Sequence, residues 1–214
     1  MTLGKRMFDL AGAVLGLLLL WPLFFLIVLL IKLDTGGPAF FRQERVGHRG
    51  RPFRIWKFRT MIAEAEKRGP PLTVDGDPRI TRAGRWLRRL KFDELPQLFN
   101  VLRGEMSLVG PRPEVPKYIA LYDASQHRVL DLRPGITDPA SIEYRDEDER
   151  LALATDPERM YVRAIMPAKI CLNLEYAEGA TVWSDFVVIL ETLVTLMGLT
   201  RRTSVSRQPP QSER

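Results

Sequence analysis

Cysteine and histidine are nearly missing from this chain, with Cys171, His48 and His127 their sole instances in 214 residues. One thiol excludes an internal disulfide framework and suits a reducing compartment. Its place in an apolar helical pattern predicts inert core packing. The two histidines lack ligand spacing, which argues against a zinc site and predicts ordinary surface or loop roles. Internal repeats and a helix-turn-helix pattern are absent as well. No alternation of strands and helices precedes Asp75-Gly76-Asp77, so that tripeptide is weak as the nucleotide-metal motif of a glycosyltransferase. The most informative absence is charge: none falls between Leu10 and Ile31.

That uncharged stretch is long enough, at about 30 Å as a helix, to span a bilayer. No small-residue cleavage site follows it, and Lys32-Leu33-Asp34 leads into the next element, so it reads as a retained anchor. Trp21-Pro22 falls in its middle, where proline breaks the backbone ladder. The halves Leu10–Trp21 and Leu23–Ile31 would each reach less than about 20 Å. Lys5 and Arg6 precede the segment, and Lys32, Arg42 and Arg45 follow it. The positive-inside bias therefore favours one side for both ends. A helix–break–helix hairpin dipping into one leaflet fits both observations, and a proline-kinked spanning helix is the alternative.

The remainder is rich in charge, 32 Lys and Arg against 26 Asp and Glu, for a net charge of +6. Such a balance seeks anionic partners. Beside an anchor, phosphate and acidic lipid are favoured over nucleic acid, for which no recognition motif exists. Two aromatic-rich runs, Ala39–Val46 and Pro52–Arg59, flank a glycine-bounded turn and predict a β-hairpin. A period of two puts Phe53, Ile55, Lys57 and Arg59 on one face, where two cations need an anionic partner. A short polar helix is expected over Thr60–Lys67, then a Gly/Pro-rich loop. Thr81 is placed to cap a helix running to about Leu90, with Arg82, Arg85 and Arg88 along one face.

Directly after it stand Asp93 and Glu94, adjacent carboxylates among cations. One group to attack or hold a metal, with positive charge to neutralise phosphate, is what chemistry on a phosphate ester requires. A plainer reading makes Asp93 the N-cap of a helix over Leu95–Leu102, with Glu94 complementing its dipole. Gly104 ends that helix. Ser107–Pro113 is a turn-rich loop in which Pro111 and Pro113 hold Arg112 with little backbone freedom to lose on binding a ligand. Arg133–Thr137 reads as a further turn and Tyr144–Arg150 as a solvated helical face. Amphipathic helices follow over Tyr161–Tyr176 and Trp183–Leu199, the second with Phe186, Ile189, Leu190, Leu193 and Met197 on one side. The polar residues 201–214 read as a disordered tail. The fold class is α+β, mainly helical. Residues 1–35 form the anchor, 36–200 a small catalytic domain and 201–214 the tail.

These residues resemble the bacterial sugar transferases, monotopic polyprenyl-phosphate phosphoglycosyl transferases. The resemblance is carried by Lys5–Leu10, Trp21-Pro22, Phe41–Gly47 and Lys57–Met61. It is most specific from Asp77 through Asp93-Glu94-Leu95-Pro96-Gln97-Leu98 to Val109-Gly110-Pro111-Arg112-Pro113, and Leu174-Glu175-Tyr176 also fits. It covers about residues 4–199 and looks like the minimal form, without extra N-terminal membrane helices. It implies a re-entrant anchor in the bacterial cytoplasmic membrane, with the catalytic domain on the cytoplasmic face. It also implies transfer of sugar-1-phosphate from a UDP-sugar to polyprenyl phosphate with release of UMP, the first membrane step in exopolysaccharide, capsule, O-antigen or glycoprotein glycan synthesis. Asp93 matches the nucleophile that carries the phosphosugar, and Glu94 its partner at Mg²⁺. Lys57, Arg59 and Arg88 match positions near the phosphates, and Arg112 with Pro111 and Pro113 the nucleotide-linked motif. Asp138-Pro139-Ala140-Ser141-Ile142 departs from the family pattern and bears on sugar specificity. The rivals are a membrane-surface adaptor binding acidic lipid through its arginines and a glycosyltransferase using Asp75 and Asp77.

Overall fold

A computed structural model describes residues 2–65, 69 and 76–198. The uncharged segment forms one helix, α1 (Leu3–Asp34), capped by Thr2, whose hydroxyl accepts from the Lys5 amide. The interruption expected at Trp21-Pro22 does not occur, because Pro22 lies inside a continuous helix. The missing donor and the ring clash cost about 3 kcal/mol in a helix interior. Packing on both sides of Pro22 offsets that. Asp9, Ala13, Ile27 and Ile31 are buried, and Phe24 meets Phe58 and Phe99 edge-on. These positions recur at three- and four-residue spacing, so a single stripe of α1 lies along the rest of the protein. A Cβ on Gly12 would come within 2.6 Å of Leu108, which shows how closely the helix approaches there. The opposite face, with Leu15, Leu18, Leu19, Trp21, Leu26 and Leu33, is exposed.

Polar groups fasten both ends of α1 to this same body. Arg6 donates to the Val101 and Leu102 carbonyls at 2.7 and 3.0 Å. Buried Asp9 accepts from the Ser107 hydroxyl and the Leu108 amide, each at 3.0 Å. At the other end Asp34 accepts from the Ala83 amide at 3.0 Å.

The hairpin forms as expected: β1 (Phe40–Val46) pairs antiparallel with β2 (Pro52–Phe58), Phe40 opposite Phe58 and Val46 opposite Pro52. The polar helix expected over 60–67 is replaced across 60–65 by an extended start, Met61 bridging Ile80, and a turn. Residues 66–68 and the proposed tail, 201–214, lie outside the described residues. Helix α2 (Arg82–Arg89) is capped as the sequence predicts, Thr81 accepting from the Gly84 amide at 2.9 Å. Lys91 then takes a left-handed conformation (φ 55°) and opens a 3₁₀ helix, Phe92–Gln97, which runs into α3 (Leu98–Arg103). Gly104, at φ 78°, ends α3 as glycine should.

The two segments expected as separate turns pair instead. β3 (Ser107–Val109) lies parallel to β4 (Gly135–Thr137), separated in sequence by α4 (Pro116–Ile119) and a 3₁₀ turn. Short helices α5 (Pro139–Glu143), α6 (Glu147–Ala152) and α7 (Pro157–Met160) follow. A π-helical turn, Tyr161–Ile165, leads into α8 (Met166–Glu178), and α9 (Val182–Leu196) is the last helix among the described residues. Cys171 overturns its expected core role, since it is exposed on α8 and donates to Glu175 at 3.3 Å. The helical period puts it on the outer side of α8, while Ile170 and Asn173 face in. On α9 the sequence's apolar side is uncovered, with Trp183, Phe186, Leu190, Leu193 and Met197 exposed.

Candidate active site

The left-handed Lys91 reverses the chain after α2, so the next turn carries Asp93 and Glu94 inward, where both are buried. Strand β2 delivers Lys57 to the same place, and the Pro111-Arg112-Pro113 loop after β3 delivers Arg112. Glu94 accepts from Lys57 at 2.8 Å and from Arg112 through both guanidinium nitrogens, at 2.5 and 3.0 Å. Lys57 thus finds the anion that its position on an apolar face demanded. Asp93 is treated differently. Its Oδ1 is buried with no hydrogen-bond partner, and it caps nothing, since the cap position of its helix is Lys91. The N-cap reading of Asp93 therefore fails.

Neighbours split the two carboxylates. Burial, followed by the Glu94 charge, raises the Asp93 pKa against the opposing pull of Lys57, Arg88 and Lys91. Glu94 is equally buried, but Arg112 and Lys57 overcome that penalty and hold it well below the usual carboxylate range. Burial lowers the Lys57 pKa despite its pairing with Glu94, because Arg112 and Arg45 add repulsion. The Glu94 charge raises Arg112 further above its ordinary value. Titratable pairs pushed apart in this way mark a division of roles. Glu94 is a fixed anion ordering two cations, whereas Asp93 keeps an oxygen free of hydrogen bonds.

Arg88 is near enough to lower the Asp93 pKa, and its Nε donates to the Thr60 hydroxyl at 3.2 Å. Arg59 is engaged elsewhere. Its guanidinium donates to the Thr35 and Gly36 carbonyls and the Thr35 hydroxyl, clamping the end of α1. Pro111 and Pro113 act through their carbonyls, Pro111 accepting from the Gly135 amide and Pro113 from Arg45. Trp21 and Pro22 are exposed on the outer face of α1, away from the dyad's polar contacts. Of the Asp-x-Asp alternative, Asp75 is outside the described residues, and Asp77 is gripped by Arg79 at 2.6 Å.

Sequence reasoning missed three supports. Asn100, fully buried, accepts from the Trp56 amide and donates to the Arg54 carbonyl and Glu105, locking β2 to α3. Glu114 accepts from the Tyr161 hydroxyl at 2.5 Å, which joins the arginine loop to the π-helical turn. Gln97 is buried four residues after Asp93, with its Nε2 unpartnered. The run Asp93-Glu94-Leu95-Pro96-Gln97 held a signal for the last of these. Nothing local announces the other two.

No group of three or more His, Cys, Asp or Glu side chains suited to a metal occurs among the described residues. Mg²⁺, however, is commonly held by one or two carboxylates with waters and substrate phosphates. The unpartnered Asp93 Oδ1 suits that coordination, and the adjacent Glu94 would be the second carboxylate.

The family model described as "Bacterial sugar transferase" matches residues 1–198. The chain is 44% identical over 198 residues to an undecaprenyl-phosphate glucose phosphotransferase of Komagataeibacter xylinus, covering 89% of this chain and 35% of that protein. It is 36% identical to a UDP-N-acetylgalactosamine-undecaprenyl-phosphate N-acetylgalactosaminephosphotransferase of Aeromonas hydrophila, covering 90% and 43%. With a UDP-glucose:undecaprenyl-phosphate glucose-1-phosphate transferase of Caulobacter vibrioides it shares 38% identity, covering 91% and 70%. The chain thus spans less than half the length of the first two.

Proposed function

Because the chain belongs to the bacterial sugar transferase family, we propose that it is a phosphoglycosyl transferase that moves sugar-1-phosphate from a UDP-sugar to undecaprenyl phosphate through Asp93. A carboxylate oxygen of Asp93 attacks the sugar-linked phosphorus. The bond from that phosphorus to the bridging oxygen breaks, and UMP leaves carrying the electron pair. A phosphate oxygen of the lipid then attacks the same phosphorus. The acyl phosphate bond breaks, which frees the Asp93 carboxylate and yields the lipid diphosphate sugar. The observation that carries this reading is the pairing of a clamped Glu94 with an Asp93 whose Oδ1 is buried and unengaged.

An anion attacking a diphosphate meets repulsion, and Lys57, Arg88 and Arg112 supply positive charge to offset it. Arg112 and Lys57 are already ordered by Glu94, so little reorganisation remains when the phosphates arrive. Bound Mg²⁺, held by Asp93 and Glu94, would add charge neutralisation on the diphosphate. The covalent relay lets a soluble donor and a lipid acceptor use one carboxylate in turn.

The membrane reading follows from the anchor. Helix α1 is about 48 Å long at 1.5 Å per residue, and both its ends are tied to the catalytic body. A helix crossing the bilayer would carry one end away from that body. Its exposed face and that of α9 instead suit immersion in one leaflet at the cytoplasmic surface.

Incubation with donor labelled at the sugar-linked phosphorus, without lipid acceptor, tests the relay. Label is expected on Asp93 with one equivalent of UMP released, and Asp93→Asn should take up none. Turnover by a preparation that never acquires label would overturn the covalent route. EDTA should stop turnover, and full activity in its presence would remove the metal.

A further inference from the structure

A second site lies where α1 ends and α2 begins. A groove of about 450 Å³ opens between them, lined by Leu30 and Asp34 of the anchor and by Arg82, Arg85, Trp86 and Arg89 of α2. The groove is built by a specific tie, since Asp34 accepts from the Ala83 amide at 3.0 Å and so holds the start of α2 against the end of α1. Arg82, Arg85 and Arg89 are exposed, and none has an ion-pair partner among the described residues. Trp86 is 67% exposed, and Leu26, Leu29, Leu30 and Leu33 of the anchor are uncovered nearby. An exposed tryptophan, an apolar wall and three guanidiniums without ion-pair partners, of which Arg85 donates to the Ile80 carbonyl at 3.5 Å, occupy one place, the combination that suits a membrane interface.

We propose that this groove docks the acceptor, a single-chain isoprenoid phosphate, with its headgroup among Arg82, Arg85 and Arg89 and its chain along the outer face of α1. The inference rests on the phosphoglycosyl transfer reading. The chemistry favours this occupant over bulk phospholipid. A phosphate monoester carries about −1.5 to −2 at neutral pH, whereas a phospholipid's phosphodiester carries a single charge. Three guanidiniums outweigh the one carboxylate of the groove, Asp34, and complement the former better. The groove's helix also carries Arg88, which acts on Asp93 electrostatically, and Asp93 follows Arg89 by four residues.

The test separates the two half-reactions. Wild type and the triple variant Arg82→Gln, Arg85→Gln, Arg89→Gln are compared in nanodiscs of neutral lipid. The KM for undecaprenyl phosphate should rise by about tenfold or more, the scale of one lost charge-assisted hydrogen bond. The UMP burst with donor alone should keep its amplitude. Trp86→Ala, which removes no charge, should raise the same KM. Arg128→Gln, Arg145→Gln, Arg163→Gln, an equal charge loss on exposed positions elsewhere, should leave it unchanged. An unaltered KM in the α2 variants overturns the proposal. So does a variant that loses binding to phosphatidylglycerol vesicles without acceptor and regains its KM in detergent, which would assign the groove to bulk lipid. If wild type gives no UMP burst, the transfer reading fails and binding alone decides. Undecaprenyl phosphate titrated into the nanodiscs must then change a fluorescence that Trp86→Phe removes, and no change overturns the groove.

Discussion

A buried carboxylate that must act while ionised works against its own surroundings, and the proposed relay puts Asp93 in that position. Burial and the Glu94 charge raise its pKa, so its ionised form is held at a cost to the fold. Where the folded pKa exceeds the unfolded value of about 3.9, the folded state binds the extra proton and stability falls as pH rises through that interval. Asp93→Asn should therefore abolish turnover yet melt at or above the wild-type temperature at pH 7. The difference should vanish at a pH below about 4. Calorimetry in EDTA across pH checks this, and a variant that melts well below wild type at pH 7 would contradict it. The same shift should raise the acid limb of kcat relative to that of an unburied aspartate, which a pH–rate profile checks.

Glu94 behaves oppositely, and its partner gives a second prediction. Arg112→Lys keeps the charge but loses the two-pronged contact. A loss of about 2 kcal/mol in transition-state stabilisation, near 30-fold in kcat/KM, is expected. An Arg112→Lys enzyme within twofold of wild type would show that charge alone suffices. At this scale the sequence revealed the dyad and the nearby cations, because adjacency and residue type are local. It did not reveal which carboxylate is clamped. That depends on Arg112 arriving from 18 residues away. Nor did it reveal that Arg59 serves the anchor's end, because only the folded chain brings Thr35 and Gly36 beside it.

Elements written by local chemistry were the ones legible in advance. The Thr81 cap, the Gly104 stop and the hairpin around Gly47–Gly50 each depend on a few neighbouring residues. The parallel pairing of β3 with β4 depends on residues nearly 30 apart, and the π-helical turn on how Tyr161 reaches Glu114, so neither left a local trace. Between these cases stands Gly84, which looks incidental in the sequence. A Cβ there would lie 2.0 Å from the Thr60 carbonyl oxygen, a backbone atom with little room to move. Gly84→Ala should push α2 off that segment, shifting Arg88 and the groove together. Overpacking of this kind costs about 1–3 kcal/mol. Denaturant titration should show a lowered midpoint with lower kcat, and an unchanged midpoint would mean that α2 is more loosely seated than its cap and contacts indicate.

For the whole molecule, the question is how a 32-residue apolar helix relates to the bilayer. The sequence supplied its length, its flanking cations and Pro22, which together left a re-entrant and a spanning anchor open. It could not show that one stripe, from Arg6 through Ala13, Phe24 and Ile31 to Asp34, is tied or packed along the catalytic body. A spanning arrangement would have to strip one half of that stripe from its partners, Asp9 among them. That carboxylate would then be left in hydrocarbon without its Ser107 and Leu108 donors, a penalty of several kcal/mol. Gly4 lies in the first turn of α1 and Gly36 just past its end, and a Cβ at either position meets nothing within 4 Å. In a Cys171→Ser background, which removes the exposed native thiol, Gly4→Cys and Gly36→Cys should therefore fold normally. In inverted vesicles both thiols should react with a membrane-impermeant maleimide, and in right-side-out vesicles neither should. Reaction of the two from opposite faces would mean that α1 crosses the bilayer and that its packed stripe is not kept in the membrane.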